Sequence, residues 1–209
     1  MLVRDIMKRP AVTVSWETTL QDAYRILREK GIRHLPVMEA DRLVGVITDR
    51  DLRLATSSLA PSPFPPGSHV AEVMSREPLT ADPSDPVEDA ARVMRERKIG
   101  CLPVMEDDRL VGIITGLDLL DALMQLTGVD KPSSRIEVRL PDHPGELARL
   151  TAFLSQRSLN IHSILTYPDG PDAVRTVLRI GTIDNHLVAQ DLRRAEFDIL
   201  WPPEKPWPR

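Results

Sequence analysis

The sequence has a single cysteine, Cys101. That rules out an intramolecular disulfide and makes a reducing cytoplasm the simplest expectation. Aromatic residues make up only 4% of the chain, so its core must be mostly aliphatic. No apolar run approaches the ~20 residues that a membrane span requires. The start, Met1-Leu2-Val3-Arg4-Asp5, has no apolar signal-peptide core. There is no excess of basic charge either. The formal net charge of −4 gives the chain no global attraction for a nucleic-acid backbone, so neither nucleic acid nor a membrane is an expected partner. The histidines (His34, His69, His143, His162, His186) are scattered, without a His-x-x-x-His spacing, and no metal site is expected. No acid–base–nucleophile set is visible, so an enzyme is disfavoured.

What the chain does have is a repeat. Met7 to Ala55 recurs as Met74 to Ala122 without a gap, at a constant offset (74 − 7 = 118 − 51 = 67). Ile32-Arg33-His34-Leu35-Pro36-Val37-Met38-Glu39 matches Ile99-Gly100-Cys101-Leu102-Pro103-Val104-Met105-Glu106, and Arg42-Leu43-Val44-Gly45-Val46-Ile47-Thr48 matches Arg109-Leu110-Val111-Gly112-Ile113-Ile114-Thr115. Two copies favour a pseudo-twofold pair over a solenoid, which needs about three or more.

Each copy reads as β-α-β-β-α. A short β-like piece (Ala11 to Val14; Pro78 to Ala81) precedes a helix whose apolar residues fall at helical spacing (Leu20, Ala23, Tyr24, Leu27; Val87, Ala90, Ala91, Met94). Two β-rich runs follow, split by acidic turn residues, and a second helix begins near Asp49 and near Gly116. One such unit is too small to cover both faces of its sheet. Proline is plentiful, and Pro61 to Ser68 is dense enough to stiffen a connection. Thr127 to Ser134 is a second break. Beyond it the pattern changes to β-α-β-β-α-β, the ferredoxin-like arrangement. Its strands are expected at Arg135 to Leu140, Asn160 to Tyr167, Ala173 to Ile180 and Phe197 to Trp201, with Asp184 capping the second helix. The expected organisation is therefore α+β: repeat 1 at 1–58, a Pro-rich linker at 59–69, repeat 2 at 70–126, a joint at 127–134, a third domain at 135–201 and a Pro/Trp tail at 202–209.

Thr48-Asp49-Arg50-Asp51 and Thr115-Gly116-Leu117-Asp118 share Thr-x-x-Asp at a strand-to-helix junction. One reading is a capping box, with Thr as N-cap and the acid holding the first turn. The other uses the same geometry to bind a nucleotide: free N–H groups and a Thr hydroxyl meet an anion, and the carboxylate accepts both hydroxyls of a ribose. Arg33 and His34 precede Leu35-Pro36; a planar guanidinium there suits a phosphate, but a solvated strand edge is equally compatible. The second copy has Gly100 and Cys101 at these places, which argues against two equal phosphate sites. Cys101 sits in an apolar strand and reads as a buried, inert thiol.

The paired motifs Ile-x-x-Leu-Pro-Val-Met and Leu-Val-Gly-(Val/Ile)-Ile-Thr-x-x-Asp resemble a pair of CBS (cystathionine β-synthase-type) domains, together called a Bateman module. The resemblance implies an adenosine ligand: AMP, ADP, ATP or a related compound. It implies Asp51 and Asp118 as ribose acceptors, Thr48, Thr115, Arg33 and His34 as phosphate-side residues, and Arg50 as a further nucleotide-binding residue. The segments bearing Thr13, Ser15 and Thr80 would face the adenine edge. The C-terminal stretch, with Asp142-His143-Pro144-Gly145-Glu146-Leu147 and Asn160-Ile161, resembles an ACT domain. That family often binds an amino acid between this loop and a neighbouring domain's second strand. The implied candidates are Asp142, His143, Pro144, Gly145, Asn160 and Ile161. A CBS pair followed by ACT resembles the acetoin-utilisation (AcuB-type) proteins. The expected function is a non-catalytic cytoplasmic sensor, homodimeric and allosteric, acting on an unknown regulated protein. The competing expectation is a structural or interaction protein that dimerises without a small-molecule ligand.

Overall fold

The computed structural model describes residues 1–204 and divides into a unit from Met1 to Ala122 and a second from Leu123 onward. The expected tail lies outside the described residues from position 205.

In the first unit, repeat 1 contains β1 (Val14–Ser15), α2 (Leu20–Lys30), β2 (His34–Glu39), β3 (Arg42–Thr48) and α3 (Asp49–Ala55), preceded by a short α1 (Val3–Ile6). After a 3-10 turn at Val70–Glu72 come β4 (Ser75–Arg76), α4 (Val87–Arg97), β5 (Cys101–Glu106), β6 (Arg109–Thr115) and α5 (Gly116–Thr127), which belongs to the first unit as far as Ala122. The first strand of each copy is shorter than the sequence pattern implied. In repeat 1 it is β1 alone, and in repeat 2 it shrinks to Ala81, bridged in parallel to Val104. Pro10 stands before the first segment, and Pro78 and Pro83 stand on either side of the second; each lacks an N–H donor, which limits the ladder.

Helices α2 and α4 form for the same reasons. Thr19 caps α2 by accepting from Asp22 N at 3.1 Å, and Gly31 ends it in the left-handed region at φ 63°. Leu20, Ala23 and Leu27 of α2 are buried, as are the corresponding Val87, Ala90 and Met94 of α4. Burying each large aliphatic side chain contributes about 1.5–3 kcal/mol.

The segments that precede the repeats are exchanged, which the boundaries 1–58 and 70–126 do not convey. Val3 and Ile6 of α1 are buried with Ala81, Val87, Leu102 and Ile114 of repeat 2. Val70 packs with Leu20, Leu35, Ile47 and Leu52 of repeat 1, joined by Val73 and Met74. The crossing is made at the glycine of each Leu-Val-Gly motif. β4 pairs with β3 at Gly45↔Arg76 and Val46↔Ser75, and Lys8 pairs with Ile113 in the same manner. A Cβ on Gly45 would stand 2.9 Å from the Ser75 carbonyl oxygen, and one on Gly112 would stand 2.9 Å from that of Lys8. Only glycine permits so close a backbone approach. Val46, Cys101 and Ile113 form a small apolar cluster that joins the two copies.

The second unit contains β7 (Ser134–Pro141), α6 (Glu146–Gln156), β8 (Ile161–Pro168), β9 (Ala173–Ile180), α7 (Asn185–Arg194) and β10 (Asp198–Trp201). Its sheet is antiparallel in the order β10-β7-β9-β8. Ile136, Val138 and Leu140 of β7 alternate inward against Leu150 and Leu154 of α6 and Val188 and Leu192 of α7. Asp184 caps α7 by accepting from Leu187 N at 3.0 Å.

Candidate functional site

Each Thr-x-x-Asp pair lies where a strand turns into a helix. At the first junction Asp51 Oδ2 accepts from Thr48 N at 3.0 Å and Thr48 Oγ1 at 2.6 Å, while Asp51 N donates back to Thr48 Oγ1 at 3.1 Å. This is a reciprocal capping box. It engages only one carboxylate oxygen. Among the described residues, Asp51 Oδ1 has no hydrogen-bond or ion-pair partner, and the residue is half-buried. The junction therefore caps a helix and still holds an acceptor oriented and available.

The helix end itself offers an anion less than the spacing implied. Asp49 N donates to Arg33 O at 3.1 Å, and Asp51 N is engaged by Thr48. With two leading N–H groups satisfied inside the protein, recognition here rests on side chains.

Arg33 and His34 are placed beside this junction. His34 is the cross-strand partner of Thr48, and Arg33 is exposed. Burial first, and the Arg33 charge second, push the His34 imidazole below its ordinary pKa, against the pull of Asp49 and Asp51. His34 also reaches into repeat 2: a Cβ on Gly100 would meet its Nε2 at 2.5 Å. The sequence departure at position 100 thus has a steric cause. Cys101, beside it, is 6% exposed. Burial and then the Asp51 charge push its thiol up to about 12. It is an inert thiol at neutral pH.

Thr13 and Ser15 flank the buried Val14 and are exposed, with Val14 paired to Val37 and Ser15 to Met38. They stand three to four residues along β2 from His34, roughly 10 Å at the strand rise. Thr80 occupies the corresponding exposed place beside Ala81. Arg50 is exposed in the first turn of α3. The structure thus gathers Arg33, His34, Thr48, Arg50 and Asp51 at one end of β2 and places Thr13 and Ser15 farther along it.

The second junction is built differently. Thr115 N and Thr115 Oγ1 donate to Asp118 Oδ2 at 2.8 and 2.7 Å. Asp118 Oδ1, however, is paired with Lys8 Nζ at 3.4 Å, and the Asp118 side chain is only 3% exposed. The sequence pattern did not reveal Lys8, although its repeat counterpart, Ser75, already differed from it.

In the second unit the expected set is split. Asp142, His143, Pro144 and Gly145 lie before α6, with Gly145 as its N-cap at φ 102°. Asn160 and Ile161 lie beyond the other end of α6, where they line a shallow recess of ≈ 420 Å³ with Thr151, Ser155, Ser158 and Leu159. Eleven helical residues separate the two groups, about 16 Å along the axis. One copy of the domain does not bring them together.

The CBS domain family matches residues 3–58 and 70–125, and the ACT domain family matches residues 134–197. A putative acetoin utilization protein (AcuB) from Vibrio cholerae is 34% identical and superimposes with a TM-score of 0.54, covering 64% of this chain and 98% of that one. The CBS domain pair of protein MJ0100, solved with 5'-methylthioadenosine and S-adenosyl-L-methionine, is 32% identical over 63% of this chain and 98% of its own, with a TM-score of 0.54. CBSX2 in complex with AMP is 31% identical over 60% of this chain and 97% of its own, with a TM-score of 0.55.

Proposed function

Because the chain belongs to the CBS domain family and carries an ACT domain behind its CBS pair, we propose that it is a non-catalytic sensor whose CBS pair binds an adenosine compound. The observation that carries this reading is the free Oδ1 of Asp51 beside Thr48, with Arg33 and His34 next to it. A carboxylate held by its cap is preorganised to accept both hydroxyls of a ribose. The exposed guanidinium of Arg33 suits a phosphate on the 5' side. The two structures solved with adenosine ligands, at 32% and 31% identity, support the ligand class. None of the matched segments is a catalytic domain.

The working state is a homodimer. The ACT candidates stand at opposite ends of α6, so an amino-acid site needs the loop of one copy and the strand start of another. The β8 edge of the ACT sheet and the exposed Leu117, Leu120 and Met124 of α5 offer a second copy both backbone and apolar surface. Regulation then takes the form of linkage: a nucleotide that alters the affinity for an ACT ligand is altered by it by the same factor.

The test is mass spectrometry of small molecules released from the purified protein, followed by calorimetry with AMP, ATP and S-adenosylmethionine. Asp51→Ala removes two hydrogen bonds to a charged acceptor, each about 1.5–3 kcal/mol, so affinity should fall at least ~100-fold. Unchanged affinity would refute the site. The competing reading, an interaction protein without a ligand, rests on the completeness of the capping box; it gains if none of the three compounds binds. Light scattering that gives 23.4 kDa over a wide concentration range would refute the dimer.

A further inference from the structure

The two junctions share a motif and differ in one neighbour. Lys8 and Ser75 are repeat counterparts, and their backbones occupy the same place: Lys8 pairs with Ile113 of β6, and Ser75 pairs with Val46 of β3, the residue 67 positions earlier. At the first junction the side chain arriving by this route is a short hydroxyl, and it makes no bond to Asp51 among the described residues. At the second it is a lysine whose Nζ stands 3.4 Å from Asp118 Oδ1. The acceptor that a ribose would use is consequently free at Asp51 and engaged at Asp118. Exposure agrees with this. Asp51 is half-buried and reachable, whereas the Asp118 side chain is 3% exposed, and the Lys8 side chain, 69% exposed, stands at its one remaining oxygen.

We infer that Lys8 closes the second of the two nucleotide sites, so that each chain binds one adenosine compound, at Asp51, and not two. The inference rests on the proposed nucleotide reading and sets its stoichiometry. A ribose hydroxyl arriving at Asp118 has to displace a full charge from a nearly buried carboxylate, and a neutral donor does not replace an ammonium there without loss. The lysine also excludes the ligand sterically for as long as it lies across the carboxylate. The exchange of segments makes this possible, because residue 8 reaches repeat 2 only by leaving repeat 1.

The experiment is calorimetry and equilibrium dialysis of the full chain with AMP, ATP and S-adenosylmethionine. The wild type is expected to bind one equivalent per chain, to lose it in Asp51→Ala and to keep it in Asp118→Ala. Lys8→Ser, which copies the residue at position 75, is expected to bind two equivalents, while Lys8→Arg keeps the ion pair and stays at one. The reciprocal Ser75→Lys should close the first site and abolish binding, and Ser75→Lys with Lys8→Ser should restore one equivalent, now sensitive to Asp118→Ala. Circular dichroism of each variant verifies that it folds; if Lys8→Ser does not, the Ser75→Lys result decides. Two equivalents on the wild type, one on folded Lys8→Ser, or unchanged binding in folded Ser75→Lys would overturn the inference while leaving the nucleotide reading intact. No binding to any of these proteins would overturn the nucleotide reading itself.

Discussion

Gly100→Ala tests whether the two repeats meet as described. The backbone at position 100 is not in the left-handed region, so an alanine there suffers no conformational strain. Taken alone, the change should stabilise the protein by about 0.4–1 kcal/mol, because it narrows the unfolded ensemble. The structure predicts the opposite sign. The new Cβ would stand 2.5 Å from His34 Nε2 and 3.2 Å from its Cε1, roughly 1 Å inside the optimal separation. Overpacking of this kind costs about 1–3 kcal/mol. The net expectation is a loss of about 1–2 kcal/mol, a fall of roughly 0.5–1.5 M in urea midpoint for a slope typical of a small domain. Removing the ring should reverse the sign. In a His34→Ala background the three nearest atoms, all of the imidazole ring, are gone, and Gly100→Ala should stabilise by its backbone term. The double-mutant cycle should therefore give a coupling of about 1.5–3 kcal/mol between residues 66 positions apart in sequence (100 − 34). Urea unfolding of the four proteins by circular dichroism is the assay. If Gly100→Ala stabilises in both backgrounds, or the two changes add, the ring does not occupy the space at position 100 and the contact between the repeats is wrong.

Three further outcomes follow from the titrating groups. Cys101, with its thiol pushed up to about 12 by burial and the Asp51 charge, should resist iodoacetamide at neutral pH until the chain unfolds; rapid labelling of the native protein would contradict its placement. The lowered pKa of His34, caused first by burial and then by Arg33, means that the unfolded chain takes up this proton more readily than the folded one. Its contribution is therefore full above the ordinary value of about 6.5 and is lost as pH falls from there toward the folded value, a slope that His34→Gln should flatten and that would persist in the variant if another group caused it. In the ACT sheet, burial opposes the charge of Glu137, but hydrogen bonds from Arg135 and Tyr167 and the charges of Arg135 and Arg175 outweigh it and hold the carboxyl below its usual range. That stability is present above about 4.5 and is lost as pH falls through the folded value; Tyr167→Phe, at a position 43% exposed, should cost about 1 kcal/mol, and no loss of acid resistance in thermal melts would refute the network.

Much of the architecture was legible because it is local. The repeat offset placed the helices: the apolar spacing selected Leu20, Ala23, Tyr24 and Leu27, and Val87, Ala90, Ala91 and Met94, and all are buried except Tyr24, which is exposed, and Ala91, which is half-buried. The alternation of Ile136, Val138 and Leu140 gave the inner face of β7, and Asp184 caps its helix as its position implied. Short strands were read less well, since pairing of one or two residues such as Val14 and Ala81 depends on a partner strand and on neighbouring prolines. The exchange of segments was not readable at all. It is decided where Ser75 crosses Gly45 and Lys8 crosses Gly112, and no periodicity links residues so far apart.

The same division between local and distant determinants explains why the two junctions looked alike. Thr-x-x-Asp fixes a hydrogen bond between residues three apart, and both copies make it, through Asp51 Oδ2 and Asp118 Oδ2. Spacing thus encodes where the carboxylate points. It does not encode whether the other oxygen is available, because that depends on a side chain from an exchanged segment: Ser75 for one copy, Lys8 for the other. A repeat can therefore preserve the scaffold of a binding site in both copies while one substitution outside the motif removes the function from one of them. Ligand availability in a paired module of this kind has to be read from the crossing segments as well as from the motif.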